Sequence, residues 1–266
     1  MPELPEVETI KRDLQKKVIG KKIIAVEIHH HKVIKEPSLA KFKKEIVGEN
    51  IKDIIRKAKV LIFVLKDNKF LIVHLRIAGW LLYGEKNEKA RVIFHLSDGE
   101  YLNYMDQRVL GELKLRKDYK DLEFIKRLGP EPFDIDAKYF QKMLSGRKTK
   151  IKVLLLDQSL ICGIGNIYAQ EALFLAKIDP RRPANSLSFK ETKLLLDKII
   201  LVLKEGIKYR GSSVDSYRDT NGRKGGMEER LKVYNRKGKP CFACKGLITK
   251  ISLGSRGTCF CPRCQH

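Results

Sequence analysis

Four cysteines near the C-terminus, Cys241, Cys244, Cys261 and Cys264, stand as C-x2-C-x16-C-x2-C. Two such short knuckles each offer two thiolates, the spacing of a tetrahedral zinc site. So short a module cannot build a core of its own, and the metal replaces it. Protein fills all four positions and leaves none for water, so the expected cofactor is one structural Zn2+. Cys259 falls too early for the second knuckle, and Cys162 is isolated in an apolar stretch where burial is expected. A disulfide framework or a redox pair would suit a secreted or redox-active chain better than a basic intracellular one.

The rest of the chain is strongly basic. Its 266 residues carry 55 Lys and Arg against 32 Asp and Glu, a formal charge of +23. An excess of that size calls for a polyanionic partner, nucleic acid first and an anionic membrane second. No long apolar run and no signal-peptide pattern is present, so a soluble, cytoplasmic, nucleoid-associated protein is expected. Apolar residues make up 43%, enough for a real core.

Periodicity divides the chain. Val7, Ile10, Leu14 and Val18 recur at helical spacing and predict an amphipathic helix from Pro5 to about Ile19. From Lys22 to about Leu115 the reading is β. Val60–Leu65 and Phe70–Leu75 form one expected hairpin, and Arg91–Leu96 and Tyr101–Met105 a second across Ser97-Asp98-Gly99-Glu100. Gly111–Arg116 adds a strand, and together these predict an antiparallel sandwich. Gly129-Pro130-Glu131-Pro132 reads as a linker. Beyond it helices are expected over Lys138–Leu144, Thr149–Asp157 and through Ala172 and Leu175. A long helix follows, opened by a Ser188/Glu191 capping box and ending near Gly211. Asp219–Arg230 is polar and glycine-bearing and is expected to be a mobile loop.

The first nine residues read Met1-Pro2-Glu3-Leu4-Pro5-Glu6-Val7-Glu8-Thr9. Removal of Met1 would leave Pro2 as a secondary α-amine, with a pKa near ~7.7–8.0 and hence partly neutral at physiological pH. Its attack on a carbon at the aldehyde level gives an iminium ion, an electron sink for eliminations. Glu3 and Glu6 supply nearby proton donors. Read without context, the stretch is equally an ordinary helix start.

The string PELPEVET resembles the opening of the formamidopyrimidine-DNA glycosylase family, and later motifs match in the same order over nearly the whole chain. The resemblance implies Pro2 as nucleophile and Glu3 as acid/base, with Glu6 in support. It implies that Lys59, in Arg56-Lys57-Ala58-Lys59, meets phosphate or the sugar oxygen. Gly163-Ile164-Gly165-Asn166, following Leu154-Leu155-Leu156-Asp157-Gln158, resembles the family's helix-two-turn-helix, in which Asn166 would hold the phosphate beside the lesion. Arg256, in Ser255-Arg256-Gly257-Thr258 between the knuckles, would contact phosphates around the flipped nucleotide. His74-Leu75-Arg76-Ile77-Ala78-Gly79 and Asp106-Gln107-Arg108-Val109-Leu110-Gly111 resemble the loops that fill the gap left by an extruded base. The family's usual methionine, arginine and phenylalanine are Ile77, Arg108 and Leu110 here, so the arginine is kept and both wedges are changed. Asp219–Arg230 aligns with the lid loop over the flipped base.

The expected fold is therefore α+β and multidomain: an N-terminal helix with an antiparallel β-sandwich over 1–130, a helix-two-turn-helix domain with the lid over 131–236, and a zinc-finger hairpin over 237–266. The expected activity is a bifunctional DNA glycosylase/AP lyase of base excision repair. It would remove formamidopyrimidine and 8-oxoguanine from damaged double-stranded DNA as a monomer, with no membrane partner. Two rivals stand beside it. An endonuclease VIII-like enzyme for oxidised pyrimidines usually begins Pro-Glu-Gly-Pro-Glu, which Leu4 opposes and the changed wedges keep open. A non-catalytic damaged-DNA-binding zinc protein is opposed by the intact Pro2, Glu3 and Lys59. Lesion and opposite-base preference are not legible in these residues.

Overall fold

A computed structural model describes residues 2–214 and 216–266. The chain opens with helix α1 (Leu4–Val18), which Pro5 starts in its first turn, where proline is tolerated. Val7, Ile10, Leu14 and Val18 form its fully buried stripe. Next come β1 (Ile23–Ile28), β2 (Ile34–Glu36), α2 (Leu39–Ile46), β3 (Ile51–Lys57), β4 (Val60–Leu65), β5 (Phe70–His74), β6 (Gly79–Gly84), β7 (Val92–Leu96), β8 (Tyr101–Asp106), β9 (Glu112–Arg116) and the short α3 (Glu123–Lys126). Then follow α4 (Ala137–Leu144), α5 (Ile151–Leu154), α6 (Asn166–Leu175), α7 (Phe189–Lys208) and the hairpin β10 (Thr249–Leu253) and β11 (Arg256–Phe260).

Packing divides the chain into two compact units, Met1–Lys126 with Gly206–Glu228, and Arg127–Glu205 with Glu229–His266. The first is a sandwich of a four-stranded sheet, β1-β7-β8-β6, and a five-stranded sheet, β2-β9-β5-β4-β3. Inward residues of both sheets, Phe94, Leu102 and Tyr104 from one and Phe63, Leu71 and Val73 from the other, share one core with the α1 stripe. Val60, Ile62 and Ile72, on the opposite face of the five-stranded sheet, are buried as well, in a second cluster with Tyr119 and Leu122, so successive residues of β4 and β5 serve two cores.

Three details differ from the sequence reading. Leu39–Ile46, inside the stretch read as β, is helix α2, whose Phe42 and Ile46 are buried. The β2–β9 pair is parallel, where an antiparallel sandwich was expected. The helix expected over Thr149–Asp157 shrinks to α5, because a run of turns takes the chain from Leu155 to Gly165. The Ser188/Glu191 capping box is formed: Glu191 Oε2 accepts Ser188 N–H at 2.8 Å, and Ser188 Oγ accepts Glu191 N–H at 3.3 Å.

Candidate functional site

Pro2 and Glu3 lie buried at the N-terminal end of α1, with Glu3 as its N-cap. Met1, whose removal the expected chemistry needs, lies outside the described residues. Glu6 stands three residues on, and its Oε2 accepts the Glu3 N–H at 2.8 Å, one half of a capping box. Exposures of 2% for Glu3 and 1% for Glu6 make this a dry carboxylate pair beside the chain terminus. One turn further, Glu8 Oε2 accepts Arg56 Nε–H at 2.9 Å, and Arg56 Nη1 donates to Ala58 O at 3.0 Å. Burial works to raise the Glu8 pKa, but hydrogen bonds from Arg56 and Arg12 overcome it and hold the carboxyl below its ordinary value. The pair ties α1 to the β3–β4 turn, where Ala58 takes a left-handed φ of 50° and Lys59 follows, only 7% exposed.

The two loops expected to carry wedges rise from one end of the sandwich. His74 pairs with Glu112 and Gly79 with Asp106, so the β5–β6 and β8–β9 loops share a hydrogen-bonded base. Ile77 is half-buried in the first loop, and Arg108 and Leu110 are exposed in the second. Gly79 allows the first turn, since a Cβ there would stand 2.6 Å from Leu75 O. The second is built on Asp106. Its Oδ1 accepts the N–H of Arg108 at 3.1 Å and of Val109 at 3.0 Å, and its Oδ2 that of Gly111 at 2.7 Å. Val109 is held at φ 55°, and a side chain at Gly111 would collide with Tyr104 Oη. Burial, with Arg76, Lys59 and Lys114 nearby, depresses the His74 pKa to about 3, so the imidazole is neutral. Its Nδ1 accepts the Arg76 N–H at 3.1 Å, which leaves the proton on Nε2 as a donor.

In the second unit Asn166 opens α6 directly after its N-cap Gly165, at the positive end of the helix, where an anion is favoured. Asn166 Nδ2 donates to Gly257 O at 3.2 Å, on the hairpin that carries the exposed Arg256. Gln170 strengthens this join: its Nε2 donates to Gly257 O at 3.2 Å, and its Oε1 accepts Cys259 N–H at 2.6 Å. Glu171, also buried, accepts the N–H groups of Lys232, Val233 and Tyr234 at 2.7, 3.0 and 2.8 Å, at the entrance to the zinc module. The hairpin turn uses Gly254 (φ 54°) and Ser255 (φ 57°), the paired left-handed residues of a type I′ turn.

The four sulfurs of Cys241, Cys244, Cys261 and Cys264 lie within 4.8 Å of one another. Cys241 Sγ and Cys264 Sγ are 3.9 Å apart, and Cys244 Sγ and Cys261 Sγ 3.4 Å. Zn–S bonds of ~2.3 Å in a tetrahedron place sulfurs about 3.8 Å apart, whereas a disulfide needs ~2.05 Å. The set fits one structural zinc. Cys259 is buried in the same small core but outside the cluster, and Cys162 is buried elsewhere.

The segment expected as a lid begins at Asp219, whose carboxylate accepts the N–H of Asn221 and Arg223 at 2.9 Å each and takes the Arg210 guanidinium at 2.7 Å. Asp106, Gln170, Glu171 and the Glu8–Arg56 pair are functional-site supports that the sequence reading passed over. Asp106 alone left a local signal, an aspartate ending a strand five residues before a glycine.

Three family models match in order: the formamidopyrimidine-DNA glycosylase N-terminal domain over 1–113, its H2TH domain over 128–218, and the zinc finger found in FPG and IleRS over 238–266. The formamidopyrimidine-DNA glycosylase of Mycoplasma mobile is 41% identical over 272 residues, covering 100% of this chain and 99% of the relative. A Lactococcus lactis FPG mutant complexed with Fapy-dG containing DNA superposes with a TM-score of 0.92 at 38% identity, with 100% of both chains covered. MutM in complex with carbocyclic 8-oxo-G containing DNA gives 0.91 at 39%, again over 100% of both chains. With three matching domains and similarity over its whole length, the chain belongs to the formamidopyrimidine-DNA glycosylase family.

Proposed function

We propose that the chain excises oxidised purines, formamidopyrimidines and 8-oxoguanine, from duplex DNA and then cuts the strand at the resulting abasic site. The observation that carries this reading is the buried Pro2–Glu3 terminus on α1, with Glu6 holding the Glu3 N–H. The positive end of the α1 dipole disfavours a protonated Pro2 amine and favours the Glu3 carboxylate, which suits a nucleophile beside an acid/base.

The basic surface engages the DNA backbone, an attraction that weakens steeply with salt. Ile77, Arg108 and Leu110 enter the stack as the damaged nucleotide swings out, offsetting roughly a few kcal/mol of unstacking. Lys59, His74, Asn166 and Arg256 take the phosphates, His74 as a neutral Nε2–H donor. The Pro2 nitrogen bonds to C1′, the glycosidic electron pair leaves with the base, and the proton lost from the Pro2 nitrogen neutralises the departing base. Glu3 protonates O4′, the ring opens, and the C1′–N bond becomes an iminium. Loss of the C2′ proton then expels the 3′ phosphate, and a second elimination expels the 5′ phosphate. Glu6 positions the terminus. Zinc bound by Cys241, Cys244, Cys261 and Cys264 shapes the hairpin and enters no step. The protein acts as a monomer at the nucleoid, and 1–130, 131–236 and 237–266 are its functional divisions. Among the described residues no helix is long and apolar enough to cross a membrane.

The test is borohydride reduction of the Met1-processed protein mixed with duplex DNA containing 8-oxoguanine. A crosslink that maps to Pro2 and disappears on N-acetylation supports the reading. A crosslink formed only with thymine glycol moves the substrate to oxidised pyrimidines. Tight binding to an abasic site with no crosslink removes the catalytic reading.

A further inference from the structure

The segment 209–227 stands on one face of α1. Glu6, Asp13 and Lys17 are spaced seven and four residues apart, which places them on one side of a helix. Asp13 takes the Arg210 guanidinium at 3.1 and 2.5 Å, and Arg210 also holds Asp219. Lys17 Nζ donates to Thr220 Oγ1 at 3.0 Å and Asn221 Oδ1 at 2.6 Å. Glu6 makes the third join, since its Oε1 accepts the Ser212 N–H at 2.8 Å. Its other oxygen holds the Glu3 N–H at 2.8 Å. One buried carboxylate thus bridges the segment and the residue next to the nucleophile.

The segment is shaped to leave room for this bridge. Gly211 sits at φ +82°, and a Cβ there would stand 2.8 Å from Glu6 Cγ and 2.9 Å from Glu6 Oε1. On its other side, a Cβ at Gly225 would stand 2.1 Å from Gly211 O. Gly226 N–H to Tyr209 O at 2.8 Å and Met227 N–H to Gly211 O at 3.0 Å close the two ends of the segment on each other. Tyr217, 2% exposed, pins its middle into the core beside the α1 stripe.

We propose that Glu6 is a positioning residue that couples the seating of the 209–227 segment on α1 to the placement of the Pro2–Glu3 terminus, so that the segment governs iminium formation itself and not only the grip on the damaged base. This rests on the reading of Pro2 as the nucleophile. An abasic site separates the two roles, because it offers C1′ to Pro2 and no base to the segment. Displacement of a reacting group by about 1 Å can cost on the order of a hundredfold in rate.

The experiment measures single-turnover borohydride trapping on duplex DNA with a preformed abasic site, using the zinc-loaded, Met1-processed full chain. Glu6→Gln, Gly211→Ala and the double variant are compared with the parent. Binding to a reduced, unreactive abasic duplex is measured alongside, and thermal unfolding and zinc content verify folding. The expected result is trapping slowed roughly ten- to a hundredfold in each single variant with little change in binding, and a double variant no slower than the slower single one. Parental trapping by Gly211→Ala, together with slowed excision of 8-oxoguanine, overturns the coupling and leaves the segment a base-holding role alone. Multiplied effects in the double variant overturn it as well. If Gly211→Ala does not fold, Gly225→Ala, which presses on Gly211 O without touching Glu6, repeats the comparison with the same two outcomes. Absence of trapping by the parent protein would instead strike the Pro2 reading.

Discussion

Glu8 and Arg56, 48 residues apart in the chain, form an ion pair at 2.9 Å with side chains only 8% and 10% exposed. It joins the helix that carries Pro2 and Glu3 to the turn that carries Lys59. Removing Arg56 takes one cation from Glu8, which keeps Arg12 at 2.8 Å and Lys11 at 3.4 Å, so the loss stays below the roughly 3–5 kcal/mol of a fully stranded buried charge. Arg56→Met is therefore expected to lower Tm clearly and to slow trapping at abasic DNA, while Glu8→Gln/Arg56→Met recovers much of the stability. Thermal unfolding of the three proteins measures this, and additive losses in the double variant would contradict it.

Asp106 gathers three backbone N–H groups and thereby shapes the loop of Arg108 and Leu110. Hydrogen bonds to a charged acceptor contribute about 1.5–3 kcal/mol each. Asp106→Ala should slow excision of 8-oxoguanine from duplex DNA at least tenfold and leave zinc content at one per chain. Arg108→Ala should slow excision comparably, and the two losses should fail to add if Asp106 acts through the arginine.

His74, with its pKa near 3, is neutral across the physiological range. Between about 3 and the usual 6.5 the unfolded chain binds a proton that the folded chain refuses, so this group makes stability fall as pH drops through that window. Above it the contribution is constant. Nitrogen-resolved NMR should show an Nε2–H imidazole that does not titrate between pH 5 and 8, and a titration near 6.5 would refute the neutral ring.

Zinc removal should unfold the hairpin selectively. A chelator strong enough to strip four thiolates is expected to release one zinc per chain and to abolish tight binding to abasic DNA, since Arg256 and Asn166 share the hairpin through Gly257. The β-sandwich signal in far-UV circular dichroism should persist, because its core contains no cysteine. Loss of both signals together would show that the module supports the whole chain.

Several features were legible in the chain order alone. The zinc cysteines follow from their spacing, α1 from its stripe, both hairpins from alternation and turn residues, and α7 from its capping box. Each is a property of neighbours within a few residues. Helix α2 was legible too, as Leu39, Phe42 and Ile46 recur at helical spacing, but it was submerged in a β-rich stretch.

Tertiary structure decided the supports of the site. Glu8 meets Arg56 across 48 residues, Gln170 meets Cys259 across 89, and Glu6 meets Ser212 across 206. The parallel β2–β9 pair belongs with them. Nothing local specifies such partners. In the first unit they are set by which faces are brought together when α1 buries its apolar stripe against both sheets, so that Glu6 reaches the Ser212 N–H as well as its local Glu3 N–H; in the second unit they are set by the packing of α6 on the hairpin strand β11. The sequence by itself determined which residues can do chemistry and which short elements carry them, because periodicity, spacing and turn chemistry act over a few residues. Only the folded chain determined what holds those residues in place, because burial acts between surfaces far apart in the chain.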